Sequence, residues 1–550
     1  PTLETLSGLS GSFDARFTPA FDGRWFVYAA AVPSSTETVT FRAKATLASE
    51  TILLDGEKLA ADETGVVSCT VAAEPDVLHE LTVVRESDMG TRLETRYELR
   101  VTKLAETILT THFEPEDLIF ALTGANGTVY PEPDGSFHLL RGDSYCYTAS
   151  KYGFVAESGT FVADMPAMRL NVSLKTAEKN ETLREEIPSE WNDFRGNEDN
   201  NAVTEQRTPV SAADAVLYWA NQAGISYGAD AVSSPILVDG YLICTAKQYI
   251  FKINTTTGEV EQTGTMVKKS AFNITPPTYA KGMLFVALAD GVIQAFNAAT
   301  LESIWIYKDA LGGQPNAPIT YRNGYIYTGF WRGETETANW VCISVTDEDP
   351  ARTDEEKLAS WVYTANGGFY WAGACVRDRF LIVGTDDGQS GYSADTAALL
   401  SIDPVSGRII DCLDHLGADI RSTICYDAAT QRYYFTPKGG KFFSVAVSED
   451  GYFDRSSLKT LDLRGGQAIE GMSTSTPVVY NGRAYVGVSG AAQFEPYGGH
   501  SITVIDLKSF SIAYRCPTKG YPQTSGLLTK AYEKTGLVYV YFLENMSPGN

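Results

Sequence analysis

The chain has 550 residues, a formal charge of −24 and many aromatics, with 30 Tyr, 25 Phe and 8 Trp. That length exceeds what one hydrophobic core supports, so about three domains are expected, and the aromatic bias favours strands. The charge excludes a nucleic-acid backbone or an anionic membrane as partner, and no stretch approaches the roughly 20 apolar residues that span a bilayer as a helix.

In chain order, residues 1–104 alternate short β-prone runs with turns: "RWFVYAAAVP", "TVTFRAKAT", "TILLDGEKL", "HELTVVRE" and "RYELRVTK". "FTPAFDGRWFVYAAAVP", "ILLDGEKL" and "YELRVTK" resemble the cadherin-like β-sandwich repeat of bacterial surface proteins, which implies a fold more than a function. Residues 105–175 form a smaller β unit, with "GANG" and "PDG" turns between alternating strands. Through "DGSFHLL", "YCYTASKYGF" and "SGTFV" it resembles the small sandwiches of the PEGA and carboxypeptidase-regulatory type. Arg141-Gly142-Asp143 lies inside it; an adhesion tripeptide and a tight turn are the two readings, and the turn is preferred. The charged, Pro-containing stretch 176–190 reads as a linker.

"WNDFRGNEDNNAV", residues 191–203, raises a choice between a catalytic or metal loop and the start of a fold. From 227 to the end one pattern recurs: small polar residues, a β-branched pair, a turn and an aromatic-rich strand. "VSSPILVDGYLICTA", "ITPPTYAKGMLFVAL", "NAPITYRNGYIYTGF" and "STSTPVVYNGRAYVGV" are four of the copies. The spacing is about 40 to 56 residues, with third and fourth strands after most copies. Four strands at this period predict a β-propeller. Ser-Pro, the "DG" or "NG" turn, the Asp-x-x-x-Gly turn and the outer Trp resemble the PQQ-like (quinoprotein-type) repeat over at least seven units. Trp-x-x-Phe-Arg-Gly-Asn commonly precedes the first blade in that family, so Trp191, Phe194, Arg195, Gly196 and Asn197 are expected to be a lead-in and not an active site. Trp219, Trp305 and Trp361 are expected as wedges between blades. "AVLYWANQAG" (215–224) is expected as an outer strand closing the ring, because the last unit shows only two clear strands.

The expected fold class is therefore all-β: two small Ig-like β-sandwiches at 1–104 and 105–175, then a seven- or eight-bladed propeller at 191–550, with its last blade short of strands. The chain opens at Pro1 within a strand-rich stretch and stops at "NMSPGN", so it reads as a piece of a longer protein with flanking domains.

Active quinoprotein enzymes of the resembling family use a vicinal Cys-Cys pair, a stacking Trp and calcium. No Cys-Cys occurs among the eight cysteines, and the five histidines are isolated. The expectation is no enzyme, no cofactor and no metal; buried free thiols are preferred to disulfides. Asp386, Asp387 and Asp395 echo a calcium loop only weakly, without its spacing or its terminal Glu. In a propeller the second-to-third-strand and blade-to-blade loops open on one face. That face is expected to gather Phe330, Trp331, Arg332, Phe369, Tyr370, Trp371, Phe494 and Tyr497 beside Asp386 and Asp387, a set suited to sugar rings or peptides.

The leading expectation is a non-catalytic bacterial extracellular or cell-surface protein whose partner is a glycan or a protein, with no nucleic acid. Two alternatives stand beside it. One is an enzyme acting on surface polysaccharide through Glu334, Asp386 or Glu470 as acid and base. The other is an outer-membrane assembly scaffold taking a peptide strand at a blade edge.

Overall fold

A computed structural model describes the chain except residues 11, 12, 63, 76, 87–90, 126, 226, 227, 271–274, 392–395, 493, 494, 496 and 546–550. The described residues form strands and two single-turn 3-10 helices, with no α-helix. Contacts divide the chain into two compact units, 1–147 with 158–173, and 148–157 with 174–550.

In the first unit, strands such as Val27–Pro33 and Val66–Ala72 alternate buried and open positions, so each offers one apolar face. A four-stranded and a six-stranded sheet share one core containing Tyr28, Phe41, Leu81 and Tyr97. A smaller core of Leu109, Leu122, Phe137, Leu139 and Tyr145 lies farther along. Gly142 has a φ of 91°, the Arg141 guanidinium donates to Glu106 O at 2.7 Å, and Asp143 pairs with Arg16. Arg141-Gly142-Asp143 is thus a turn whose charges are engaged within the unit.

In the second unit, seven successive sheets are described. Their first repeat strands are Ile236–Val238, Thr278–Ala280, Thr320–Arg322, Cys375–Val376, Cys425–Asp427, Val478–Tyr480 and Leu527–Thr529. Each is followed by antiparallel neighbours in sequence order, the arrangement expected of propeller blades. Asp239-Gly240, Asn323-Gly324 and Asn481-Gly482 all have positive φ, which explains the recurring dipeptide in the first turn of these sheets. Trp361 Nε1 donates to Pro404 O at 2.9 Å, and its indole lies against Gly407, in the Asp-x-x-x-Gly turn of the next sheet. Trp305 is fully buried in the core shared by the second and third sheets.

Trp219 repeats the wedge: its Nε1 donates to Thr255 O at 2.8 Å and its ring covers Gly258. Yet 215–224 forms no strand, which corrects the expected outer strand. The seventh sheet contains Val203–Thr204, Leu527–Thr529 and Tyr539–Tyr541 in that order, so no described strand bridges Tyr539–Tyr541 to the Trp219 segment. Without that ladder Val216, Leu217 and Tyr218 stay exposed.

Residues 176–190, expected as a linker, run against the second unit. Ile187 joins the core of the first two sheets, and Asn180 Nδ2 donates to Asp347 at 2.6 Å. Buried Ile187 and these polar contacts hold the stretch there, and Glu185 pairs with Lys281 at 3.6 Å.

The segment 191–204 reaches every sheet. Ser189–Trp191 pairs with Ile236–Val238 of the first, and Asn192 O accepts from Tyr279 N of the second. Glu198 pairs with Arg322 of the third, and Asp199 with Arg377 of the fourth at 2.7 Å. Asn200 Nδ2 donates to Ala374 O at 2.9 Å and Ile424 O at 3.0 Å, tying the fourth sheet to the fifth. Asn201 exchanges two bonds with the Val479 backbone of the sixth. Val203–Thr204 runs parallel to Leu528–Thr529 of the seventh, and Arg195 Nη1 reaches Gly526 O at 2.8 Å. The motif is a hub. Its Asn and Arg side chains supply the polar partners that the ends of the inner strands would otherwise lack.

Candidate functional site

The loops on the expected face converge between the third, fourth and fifth sheets. Trp331 leaves strand Tyr325–Gly329, and Tyr370 and Trp371 lie between Trp361–Asn366 and Cys375–Val376. Asp386 and Asp387 follow Leu381–Gly384. These five stand together. The Trp331 and Tyr370 rings stack with centroids 4.4 Å apart, and Tyr370 stacks on Trp371 at 4.7 Å. Trp331 Nε1 donates to Asp386 Oδ2 at 2.8 Å. Trp371 has a φ of 63°, an unfavourable conformation for a bulky residue, and among the described residues its Nε1 has no partner.

Three residues that the sequence analysis did not select complete the cluster. Arg421, in the connection before Cys425–Asp427, donates through Nε and Nη2 to the two oxygens of Asp386 at 3.1 and 2.6 Å. Its Nη2 is also 2.8 Å from Asp419 Oδ2 and 3.9 Å from Glu334 Oε1. The guanidinium lies 4.8 Å from the Tyr370 ring centroid and within 6 Å of both Trp331 and Trp371. This is cation–π geometry at a buried guanidinium. Lys438, in the loop of the fifth sheet, is buried beside this charge set.

Desolvation dominates the titration of the cluster. Burial pushes the Asp386 carboxyl up to about 7, with Asp419 adding to the rise and Arg421 and Trp331 opposing it. Burial likewise takes Asp387 to about 6, assisted by Asp419 and Glu334. Burial lowers Lys438 to about 8, with Arg421 adding to the fall and the carboxylates opposing.

The other expected site residues lie elsewhere. Phe369 is fully buried against Trp340, and Phe330 is also in the core. Phe330 lies beside the half-exposed Trp331, whereas Phe369 lies beside Tyr370, which is itself buried between the two Trp rings. Arg332 pairs with Glu336 at 3.0 Å. With Trp331, Asp290 and Gln314 that pair lines a depression of about 310 Å³, within the size range of small-ligand sites. Tyr497 is exposed and makes no ring contact with the stack among the described residues. Phe494 and Asp395 lie outside the described residues.

Of the proposed acid–base residues, Asp386 contacts the same Arg421 nitrogen as Asp419, but neither side chain is exposed to solvent. Glu334 is about one-third exposed and Glu470 belongs to a different connection. Among the described residues, no group of three His, Cys, Asp or Glu side chains is placed to hold a metal ion. The cysteines are unpaired; five are buried and Cys146 and Cys516 are exposed. A cleft of about 500 Å³ lies beside hub residues Asn192, Asp193 and Glu198, walled by Tyr152, Lys281 and Arg322.

No family model matches the chain, and no curated protein matches it. Among solved structures, the quinohemoprotein alcohol dehydrogenase from Comamonas testosteroni is 15% identical, with a TM-score of 0.43 over 57% of this chain and 64% of that one. The chain therefore spans less than two thirds of that enzyme. BamB from Moraxella catarrhalis is 12% identical, with a TM-score of 0.36 over 58% of this chain and 83% of its own. The β-propeller domain of Cps50 (Swd1) from Myceliophteria thermophila is 9% identical, at 0.35 over 53% and 86%. Dehydrogenase and non-dehydrogenase structures thus stand side by side, and the chain's own sheet order is what makes its second unit a β-propeller.

Proposed function

We propose that the chain is a non-catalytic cell-surface or periplasmic binding scaffold, its ligand taken on the loop face that carries Trp331, Tyr370 and Trp371. The ligand class is an extended segment, glycan or peptide, offering flat apolar faces with polar edges. The observation that carries this reading is the stack itself. Trp331 and Trp371 remain only half-buried, while Asp386 and Arg421 fix the rings from below. Preorganised aromatic faces lose little entropy on binding. Burial of Asp386 and Asp419 and their engagement with Arg421 favour this over acid–base catalysis. The resemblances of residues 1–175 to surface modules agree with display outside the cytoplasm.

A glycan array and a peptide array, probed with the full chain, test it. Trp331→Ala or Trp371→Ala should weaken any captured ligand by about tenfold or more, the equivalent of about 1–3 kcal/mol for one stacked ring. Undiminished binding by both folded variants moves the site off this face.

A second reading, strand capture, is favoured by one feature. The seventh sheet ends on Tyr539–Tyr541, and Leu543, two residues farther on, is exposed. An edge of this kind pairs readily with an added strand. Amide exchange over 537–543 checks it: an added partner polypeptide should slow exchange there, and unchanged exchange with a bound partner removes the reading.

A further inference from the structure

The depression beside Trp331 is kept open by glycine. It lies among three connections of the second and third sheets: the turn at Asp290-Gly291, the run 309–314 and the loop 331–336. Gly291, Gly312 and Gly313 have positive φ, at 71°, 70° and 113°. A Cβ on Gly291 would stand 2.8 Å from Gly312 Cα, and one on Gly313 would stand 2.9 Å from Trp331 O. Backbone thus packs on backbone, and no side chain rises from these three positions to fill the space.

The same closeness uses up the backbone. Gln314 N donates to Trp331 O at 2.7 Å and Trp331 N to Gln314 O at 3.1 Å. Gly291 N donates to Gly313 O at 2.7 Å, and Asp309 N to Gly291 O at 2.9 Å. An extended peptide that adds as a strand needs such groups free, and here they are paired. What stays open is side-chain chemistry. Gln314 Oε1 accepts from Tyr370 Oη at 3.4 Å and from Asn316 Nδ2 at 3.2 Å, which leaves its Nε2 without a partner among the described residues. Asp290 pairs with Lys268 at 2.8 Å and Glu336 with Arg332 at 3.0 Å, so these four charges cancel.

We propose that this depression holds one uncharged pyranose ring of a glycan, its apolar face against Trp331 and its hydroxyls on Gln314, Asp290 and the Arg332–Glu336 pair. This rests on the binding role proposed for the loop face and names its ligand as glycan, not peptide. Tyr370 covers one side of the Trp331 ring and Asp386 holds its Nε1, so the indole is presented at little entropic cost. A sugar hydroxyl both donates and accepts, which matches an amide donor set among carboxylates and a guanidinium. The cancelled charges favour a neutral ring, and the chain's net charge of −24 opposes an acidic one. A volume of about 310 Å³ is at the small end for ligand sites, which fits one ring.

The full chain is screened on an array of neutral pyranose oligosaccharides, acidic oligosaccharides and peptides, and the strongest neutral probe is titrated in solution. Neutral glycans should be preferred. Their affinity should change less than about twofold between about 0.05 and about 0.5 M NaCl, since an uncharged ligand is not screened. Gln314→Ala and Asp290→Asn should each weaken binding by about fivefold or more. Asp290 has a φ of 59°, which Asn accepts, so that variant keeps the turn. Unchanged affinity in both folded variants, with a loss in Trp331→Ala, puts the ligand on the stack outside the depression. That result overturns this inference and leaves the binding face standing. Preference for acidic glycans or for peptides does the same. Capture of nothing, or undiminished binding in both Trp331→Ala and Trp371→Ala, removes the binding face and this inference together.

Discussion

Replacing Asn200 with Ala should lower the stability of the propeller by about 3–5 kcal/mol, more than any other single change in the hub. The side chain is 6% exposed, and its Nδ2 donates to two carbonyls on adjacent sheets, Ala374 O and Ile424 O. Truncation leaves Ile424 O without its side-chain donor, at about 1–3 kcal/mol, and Ala374 O with only the longer 3.3 Å bond from Thr320 Oγ1. A second cost comes from the backbone, because Asn200 has a φ of 53°. Asn tolerates that region, whereas Ala pays about 1–2 kcal/mol. Substitutions separate the two terms. Asn200→Gly removes the side-chain bonds but accepts the backbone, so it should cost less than Ala. Asn200→Asp keeps the shape but aims carboxylate oxygens at two carbonyls, and should be the worst of the three. Urea denaturation of the four proteins checks the order. Equal losses for Gly and Ala would show that the positive φ carries no cost.

This ranking gives the lead-in motif its physical meaning. A ring of blades has inner strands whose ends meet no neighbouring strand, and an Asn can satisfy a donor and an acceptor at once. The density of Asn, Asp and Arg in 191–203 that looks like chemistry in the sequence is used on carbonyls and amides of the fourth to seventh sheets, while the first two are reached through the backbone and the third through the Glu198–Arg322 ion pair. Arg195 shows the same use in a buried cation. It donates to Asn200 O and Gly526 O, and burial lowers its guanidinium to about 10.

The parts legible in the sequence were those with a local period. Turn dipeptides and strand alternation depend on neighbours within a few residues, and the Trp wedge recurs at the blade period, as Trp361 on Gly407 of the next sheet does. Trp219 shows where the plan stops. Its indole occupies the wedge position, but strand pairing needs a partner ladder, which the segment itself does not specify. At the candidate site, Trp331, Tyr370, Trp371, Asp386 and Asp387 lie in long loops with turn residues, and the structure brings them together. Phe369 was misplaced because the outward or inward direction of a loop side chain is set by packing, here against Trp340. Asp419 and Arg421 were missed because "GADIRSTICYD" reads as the approach to an inner strand. The only local signal was an Asp and an Arg bracketing Ile420 in an otherwise small, apolar run.

Replacing Arg421 with Met should cost about 3–5 kcal/mol at neutral pH, because it breaks a buried ion pair from one side. Asp386 and Asp419 have no exposed side-chain surface and would lose their shared cation. Met fills much of the same volume and can lie against the aromatic rings, so the loss reports charge more than packing. Arg421→Lys should fall between: it keeps one charge, but an ammonium cannot reproduce the paired bonds to Asp386 or the planar stack on Tyr370. The pH dependence identifies the cause. Without the guanidinium, the Asp386 carboxyl keeps its burial and the Asp419 charge beside it but loses the cation that opposes them, so its affinity for protons in the folded state rises further. Raised folded-state values favour folding in acid and penalise it as pH increases. The stability gap between Arg421→Met and the wild type should therefore narrow from about pH 8 to about pH 5. Adding Asp386→Leu to Arg421→Met should recover part of the loss at neutral pH, since a buried ion pair replaced as a unit by apolar groups is often tolerated. A gap that stays constant with pH, and is unchanged in the double variant, would assign the role of Arg421 to packing against the stacked rings and not to holding two carboxylates in the interior.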